Sequence, residues 1–216
     1  MRPERWTAIA GVATILILIP AIVMESIGPD AGMSPLDMAA RFASAQVAVL
    51  LGSVLLLAAQ VTLFVFAIGL ATLTRSTSPV LSMVLLVSAA VSIAASTVYE
   101  AVFASVASSI RHIHSNDVVY GLFIVATSMD TISGSFAGIL IGVGAYALRR
   151  SNLLGAWLTR LGVVTGAIVF VSAIGIVDPQ AFVLTLIAII GAFLSLLWIL
   201  LVSISLVRIR TAPTER

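Results

Sequence analysis

Polar positions are sparse along this chain and gather in short clusters, leaving six long apolar runs at about 7–27, 44–74, 79–110, 117–148, 155–177 and 180–207. A hydrocarbon core about 30 Å thick takes roughly 20 helical residues at about 1.5 Å each, so each run predicts a transmembrane helix. The last two cannot be one helix, because residues 155 to 207 would then measure about 80 Å. A reversal is expected near Asp178-Pro179. The pattern thus predicts an all-α polytopic membrane helix bundle, a single transmembrane domain over residues 1–216.

Local chemistry marks the helix starts. Ser34-Pro35, Ser78-Pro79 and Asp178-Pro179 each set a capping side chain before a proline suited to the first helical position, and Ser115-Asn116-Asp117 has the same character. Ser34 followed three residues later by Asp37 resembles a capping box, which predicts a short interfacial helix, or an extension of the second span, in the first loop. Arg2 and Arg5 precede the first apolar run as in a signal peptide. That run passes Pro20 to Met24 without a small-x-small cleavage pattern and reads as a retained anchor.

Composition agrees with the pattern: 61% of residues are hydrophobic and 9% charged, with a mean hydropathy of +1.21. The surroundings expected for most of the surface are lipid. All 11 basic residues are arginines and they sit at helix ends, so the sequence pI near 9.7 reflects threading and argues against a nucleic-acid partner. With the N-terminus inside, Arg2, Arg5, Arg75, Arg149, Arg150, Arg160, Arg208, Arg210 and Arg216 become cytoplasmic and only Arg41 and Arg111 lie outside. The positive-inside rule then predicts a multi-pass plasma-membrane protein with both termini cytoplasmic. Trp6 and Trp157 would be anchors at the cytoplasmic interface. The chain has no cysteine, which removes disulfides, thiolate metal sites and cysteine nucleophiles.

Two acids, Glu100 and Asp130, stand inside apolar spans, where a charge costs at least about 2.5 kcal/mol on insertion scales. Glu100 lies about 16 Å along its helix from Arg111, and Asp130 about 20 Å from Asp117, which puts them at similar depth in adjacent antiparallel helices. Each heads or joins a row at i, i+4 spacing. The rows are Ser88, Ser92, Ser96, Glu100, Ala104, Ser108 and Ala126, Asp130, Gly134, Gly138, Gly142. Both rows are small or polar and are expected to face the bundle interior, with Gly134, Gly138 and Gly142 permitting close helix packing. Two carboxylates without an intramembrane Arg or Lys cannot both be comfortably ionised, so a proton, a cation or a wet cavity is expected there. Gln60 and Tyr99 are further candidates for the same interior. The bland alternative is protonated glue, each acid hydrogen-bonded to a polar neighbour.

Other motifs carry less. His112 and His114 point to nearly opposite sides of a helix and could share a metal, with Asp117, only on an extended chain; no metal site is expected. Neither Gly-x-Ser-x-Gly nor His-Glu-x-x-His occurs, and Gly142-x-Gly144 inside a helix cannot cradle phosphate; no catalytic residue and no cofactor are assigned. Spans one and five align at an offset of 151 through Trp6/Trp157, Gly11/Gly162, Val12/Val163, Thr14/Thr165 and Ile17/Ile168. In so narrow an alphabet this reads as chance plus a shared interfacial tryptophan, with hairpin duplication as the alternative.

In its length, its six-span layout, the opening RWTAIAGV and the stretch LLGAWLTRLGVVTGA, the chain resembles a bacterial family of six-helix membrane proteins defined by a domain of unknown function. That resemblance implies location and threading and supplies no catalytic residues. Three functions remain open: a membrane protein binding or translocating a proton, cation or small solute at a buried acidic site; a structural or accessory subunit packing a membrane-protein partner, a second copy or lipid; and an intramembrane enzyme.

Overall fold

The computed structural model describes residues 3–172 and 182–208. Seven α-helices follow in order: α1 (Pro3–Glu25), α2 (Pro35–Ser44), α3 (Gln46–Thr74), α4 (Pro79–Ser109), α5 (Asn116–Arg150), α6 (Ala156–Ser172) and α7 (Phe182–Arg208). A 3-10 turn over Ile110–His112 joins α4 to the α5 connection, and no strand occurs among the described residues. Five helices are long and apolar enough to cross a membrane, while α6 is described over 17 residues. The reversal expected at Asp178-Pro179 lies outside the described residues.

The caps explain where several helices begin and end. Ser34 accepts from the Asp37 amide at 3.2 Å and its hydroxyl meets the Asp37 carboxylate at 2.6 Å, which starts α2 at Pro35. Ser78 and Ser115 make no such bond, so the proline or the following polar residues start α4 and α5 without a side-chain cap. The C-terminus of α5 closes in a Schellman motif. Asn152 adopts φ 56°, the Leu153 amide donates to Leu148 O at 2.9 Å, and the Asn152 amide donates to Arg149 O at 3.0 Å.

The long helices pack in a ring. α1 lies on α3, α3 on α4, α4 on α5, α5 on α6, α6 on α7, and α7 returns to α1. Neighbours run antiparallel, as residue pairings show: Thr14 meets Thr62, Gln60 meets Ser96, Ser92 meets Ser133, and Gly162 meets Trp198. The ring's outer face carries exposed Leu16, Val47, Val80 and Phe193, the surface a lipid-facing bundle needs. Amphipathic α2 lies across one end, with Met38 and Phe42 fully buried against α4 and α5 residues such as Phe103 and Val119. At the opposite end Trp198, Phe66, Leu70, Leu85, Leu148 and Leu206 fill the ring.

Glycines set the tightest approach. A Cβ on Gly138 would stand 2.7 Å from Gly166 O and 2.8 Å from Phe170 N, so α5 and α6 touch backbone to backbone there. Gly142 lies on the same contact, with Gly166 Cα 3.9 Å from its Cβ position. Gly11 and Gly162, equivalent in the 151-residue offset, both lie against α7, the first at Ser203 and the second at Trp198. Thr14 and Thr165 one turn later are both buried.

Candidate functional site

Between the apolar plug under α2 and the packed end around Trp198, the ring is hollow. A cavity of about 480 Å³ is lined by residues from all six long helices. Small side chains create the space: Ser92 and Ser96 on α4, Ser133, Gly134 and Ala137 on α5, and Ala192 on α7 stand where the packed end carries large ones. Gly134 has no atom within 4 Å of its Cβ position. It therefore borders the cavity, whereas Gly138 and Gly142 of the same predicted row meet α6.

The α2 end of this cavity is acidic. Glu100 on α4 is 2% exposed, and its Oε1 has no hydrogen-bond partner. Asp130 on α5 is exposed and lines the cavity. Gln60 donates from Nε2 to Ser96 Oγ at 3.0 Å while its Oε1 stays unpartnered. Tyr99 is buried and donates its hydroxyl to Glu25 Oε1 at the C-terminal end of α1. Glu25, Glu100 and Asp130 all line this one cavity. Among the described residues no Arg, Lys or His lines the cavity.

All four polar residues singled out from the sequence, Glu100, Asp130, Gln60 and Tyr99, thus stand on one wall system. The expected inward rows need correction in their extent. On α4, Ser88, Ser92, Ser96 and Glu100 are buried, but Ala104 is half-buried and Ser108 exposed. Four residues advance a helix by about 400°, so an i, i+4 row drifts about 40° per step and leaves any one face within a few turns. The same drift carries the α5 row from the cavity at Asp130 and Gly134 to α6 at Gly138. Ala126 of the α5 row is buried in the cluster that holds Tyr99 and Phe103 of α4, and off the row Ser92 Oγ donates to Ser133 O at 2.9 Å.

Glu25 is the residue that sequence reasoning missed. It closes the first apolar run beside Ser26, Gly28 and Asp30, and so reads as loop chemistry. Its signal was its place as the last residue of an otherwise uncharged run beginning after Arg5. His112 and His114 are exposed at the α4–α5 connection and do not line the cavity. Among the described residues no group of three His, Asp or Glu side chains converges in a way that could hold a metal ion.

The arrangement can hold positive charge. Three carboxylates lining one cavity between apolar helices, without a basic side chain among the described lining residues, are neutralised by protons or by a bound cation. Comparison with family models, with curated proteins and with solved structures gives no match, and the likeness of RWTAIAGV and LLGAWLTRLGVVTGA to a six-helix family has no counterpart there.

Proposed function

We propose that this protein crosses the plasma membrane six times with both termini cytoplasmic, and that its central cavity binds a small cationic solute and passes it across in exchange for protons. Glu100 and Asp130 carry the charge recognition, Gln60 supplies a neutral acceptor, and Tyr99 holds Glu25 at the rim. The observation that carries this reading is Glu100. A carboxylate on a residue 2% exposed inside a membrane-type bundle, with one buried oxygen unpartnered and no basic residue among the described residues lining the adjoining cavity, is costly unless something positive arrives.

The threading draws support from the arginines. In an up-and-down ring, Arg5, Arg75, Arg149, Arg150, Arg160 and Arg208 all fall at the end opposite α2, leaving Arg41 and Arg111 at the α2 end. By the positive-inside rule the α2 end is then external and the acidic part of the cavity lies in the outer half. The α6 helix supplies the sixth crossing.

Purified protein in lipid nanodiscs, titrated with a small cation such as ethylammonium in weakly buffered medium, tests the reading through proton release. Wild type should release protons on binding, and the Glu100→Gln, Asp130→Asn double variant should not. Equal proton release from both proteins would refute an acidic site.

A further inference from the structure

The cavity is far larger than a proton or a bare metal ion requires, and its two halves differ. Along α5 the lining runs from Asp130 to Ile141, about 16 Å of helix. The carboxylates all stand in the half toward α2, Glu25 on α1, Glu100 on α4 and Asp130 on α5, with apolar Ile22 and Leu56 beside them. The half beyond Gln60 and Ser96 has no titratable side chain among the described residues and is mostly apolar, with Phe66, Leu140, Ile141 and Ile199 beside Ser195. A volume of about 480 Å³ falls within the roughly 300–1,000 Å³ of pockets that enclose small organic molecules.

From this asymmetry we infer that the occupant is an amphipathic organic cation, an ammonium head among the carboxylates with a hydrocarbon body in the apolar half. This rests on the acidic-site reading and names its substrate class. Three observations select that chemistry over an inorganic ion. The carboxylates do not converge on a single point as metal ligands must. Glu100 Oε1 on α4 and Gln60 Oε1 on α3 are buried acceptors left without a donor, and an ammonium head brings several N–H donors where a bare ion brings none. Aromatic rings stand at both ends of the space, Tyr99 at the acidic end and Phe66 and Trp198 at the apolar one, where they favour cationic and hydrocarbon groups respectively.

The groups that face the head from each neighbouring helix are Glu25 from α1, Tyr99 and Glu100 from α4 and Asp130 from α5, with none of them basic. Protons and the ammonium therefore compete for the same carboxylates, and binding weakens as the pH is lowered.

The test is calorimetric titration of the full chain in nanodiscs at pH 8 with ethyl-, butyl- and hexylammonium, sodium, and neutral hexanol, against empty nanodiscs. Affinity should rise about fourfold per added methylene up to the length of the apolar half. Hexanol and sodium should bind at least tenfold more weakly than hexylammonium. Gly134→Leu, placed where a side chain has room, should shift the preferred chain to a shorter one. Affinity that is flat across the amines and matched by sodium overturns the amphipathic class while leaving an acidic cation site. Wild type that binds no cation, or a Glu100→Gln, Asp130→Asn variant that binds as well as wild type, overturns both. A preferred chain length unchanged in Gly134→Leu places the body elsewhere and overturns the inference as well.

Discussion

The two ends of the ring are built from the same six helices and differ in what they do with the space between them. Around Trp198 the space is filled: Trp198 is fully buried, its Nε1 donates to Leu158 O at 3.3 Å, and Phe66, Leu70, Leu85 and Leu148 close over it. A few turns toward α2 the facing positions are Ser92, Ser96, Ser133, Gly134, Ala137 and Ala192, and these small side chains leave a cavity. Side-chain volume alone accounts for this contrast. In lipid, helices gain their association from close packing and polar contacts, so a hollow persists only where the rim is tied elsewhere. Here α5 and α6 touch at Gly138 and Gly166, and α2 packs Met38 and Phe42 onto α4 and α5 at the far end.

The contrast can be broken first at its filled end. Trp198→Ala should cost about 3–5 kcal/mol, the range for removing a large buried aromatic side chain, and thermal unfolding in detergent measures it. An unchanged unfolding temperature would mean that this end is no better packed than the cavity. Gly138→Ala comes next, with a loss of about 1–3 kcal/mol because the new methyl meets α6 backbone that has no rotamer to yield. Should Gly138→Ala be neutral, the α5–α6 contact is not what holds the hollow open.

Smaller effects sharpen the cavity side. Glu100→Gln should lower cation affinity at least tenfold, about 1.4 kcal/mol, while leaving stability level or raised, since it replaces an incompletely paired buried carboxylate by its neutral isostere. A simultaneous collapse of stability would favour structural glue over a binding role. Gly134→Ala should raise stability by about 0.5–1 kcal/mol, the helix-interior preference for alanine, because nothing lies within 4 Å of the added carbon. Destabilisation by this variant would show that the glycine is packed after all. Of two glycines one turn apart on α5, one should therefore tolerate a methyl and the other should not.

Much of the local structure was legible. The apolar runs announce helices because a chain in lipid must satisfy its backbone internally, and Ser34-Pro35 with Asp37 announces α2 because its side chains complete the first turn. The depth argument that paired Glu100 with Asp130 needed only the helical rise and two polar helix ends. Less legible was which face each residue presents. Row arithmetic at i, i+4 misplaced Ser108 outright and grouped Gly134 with Gly138, although one borders space and the other meets backbone.

The sequence by itself therefore determined the helical class, the membrane-type surface, the α2 cap and the acids that break the apolar pattern. Only the tertiary structure decided that α7 returns to α1, that small residues from separate helices coincide in a hollow, and that Glu25, held by Tyr99, lines the same hollow as Glu100 and Asp130. The reason is physical. Helix formation and capping depend on residues within a turn of one another, whereas a cavity depends on what six separate helices leave unfilled at one level, which no local period records.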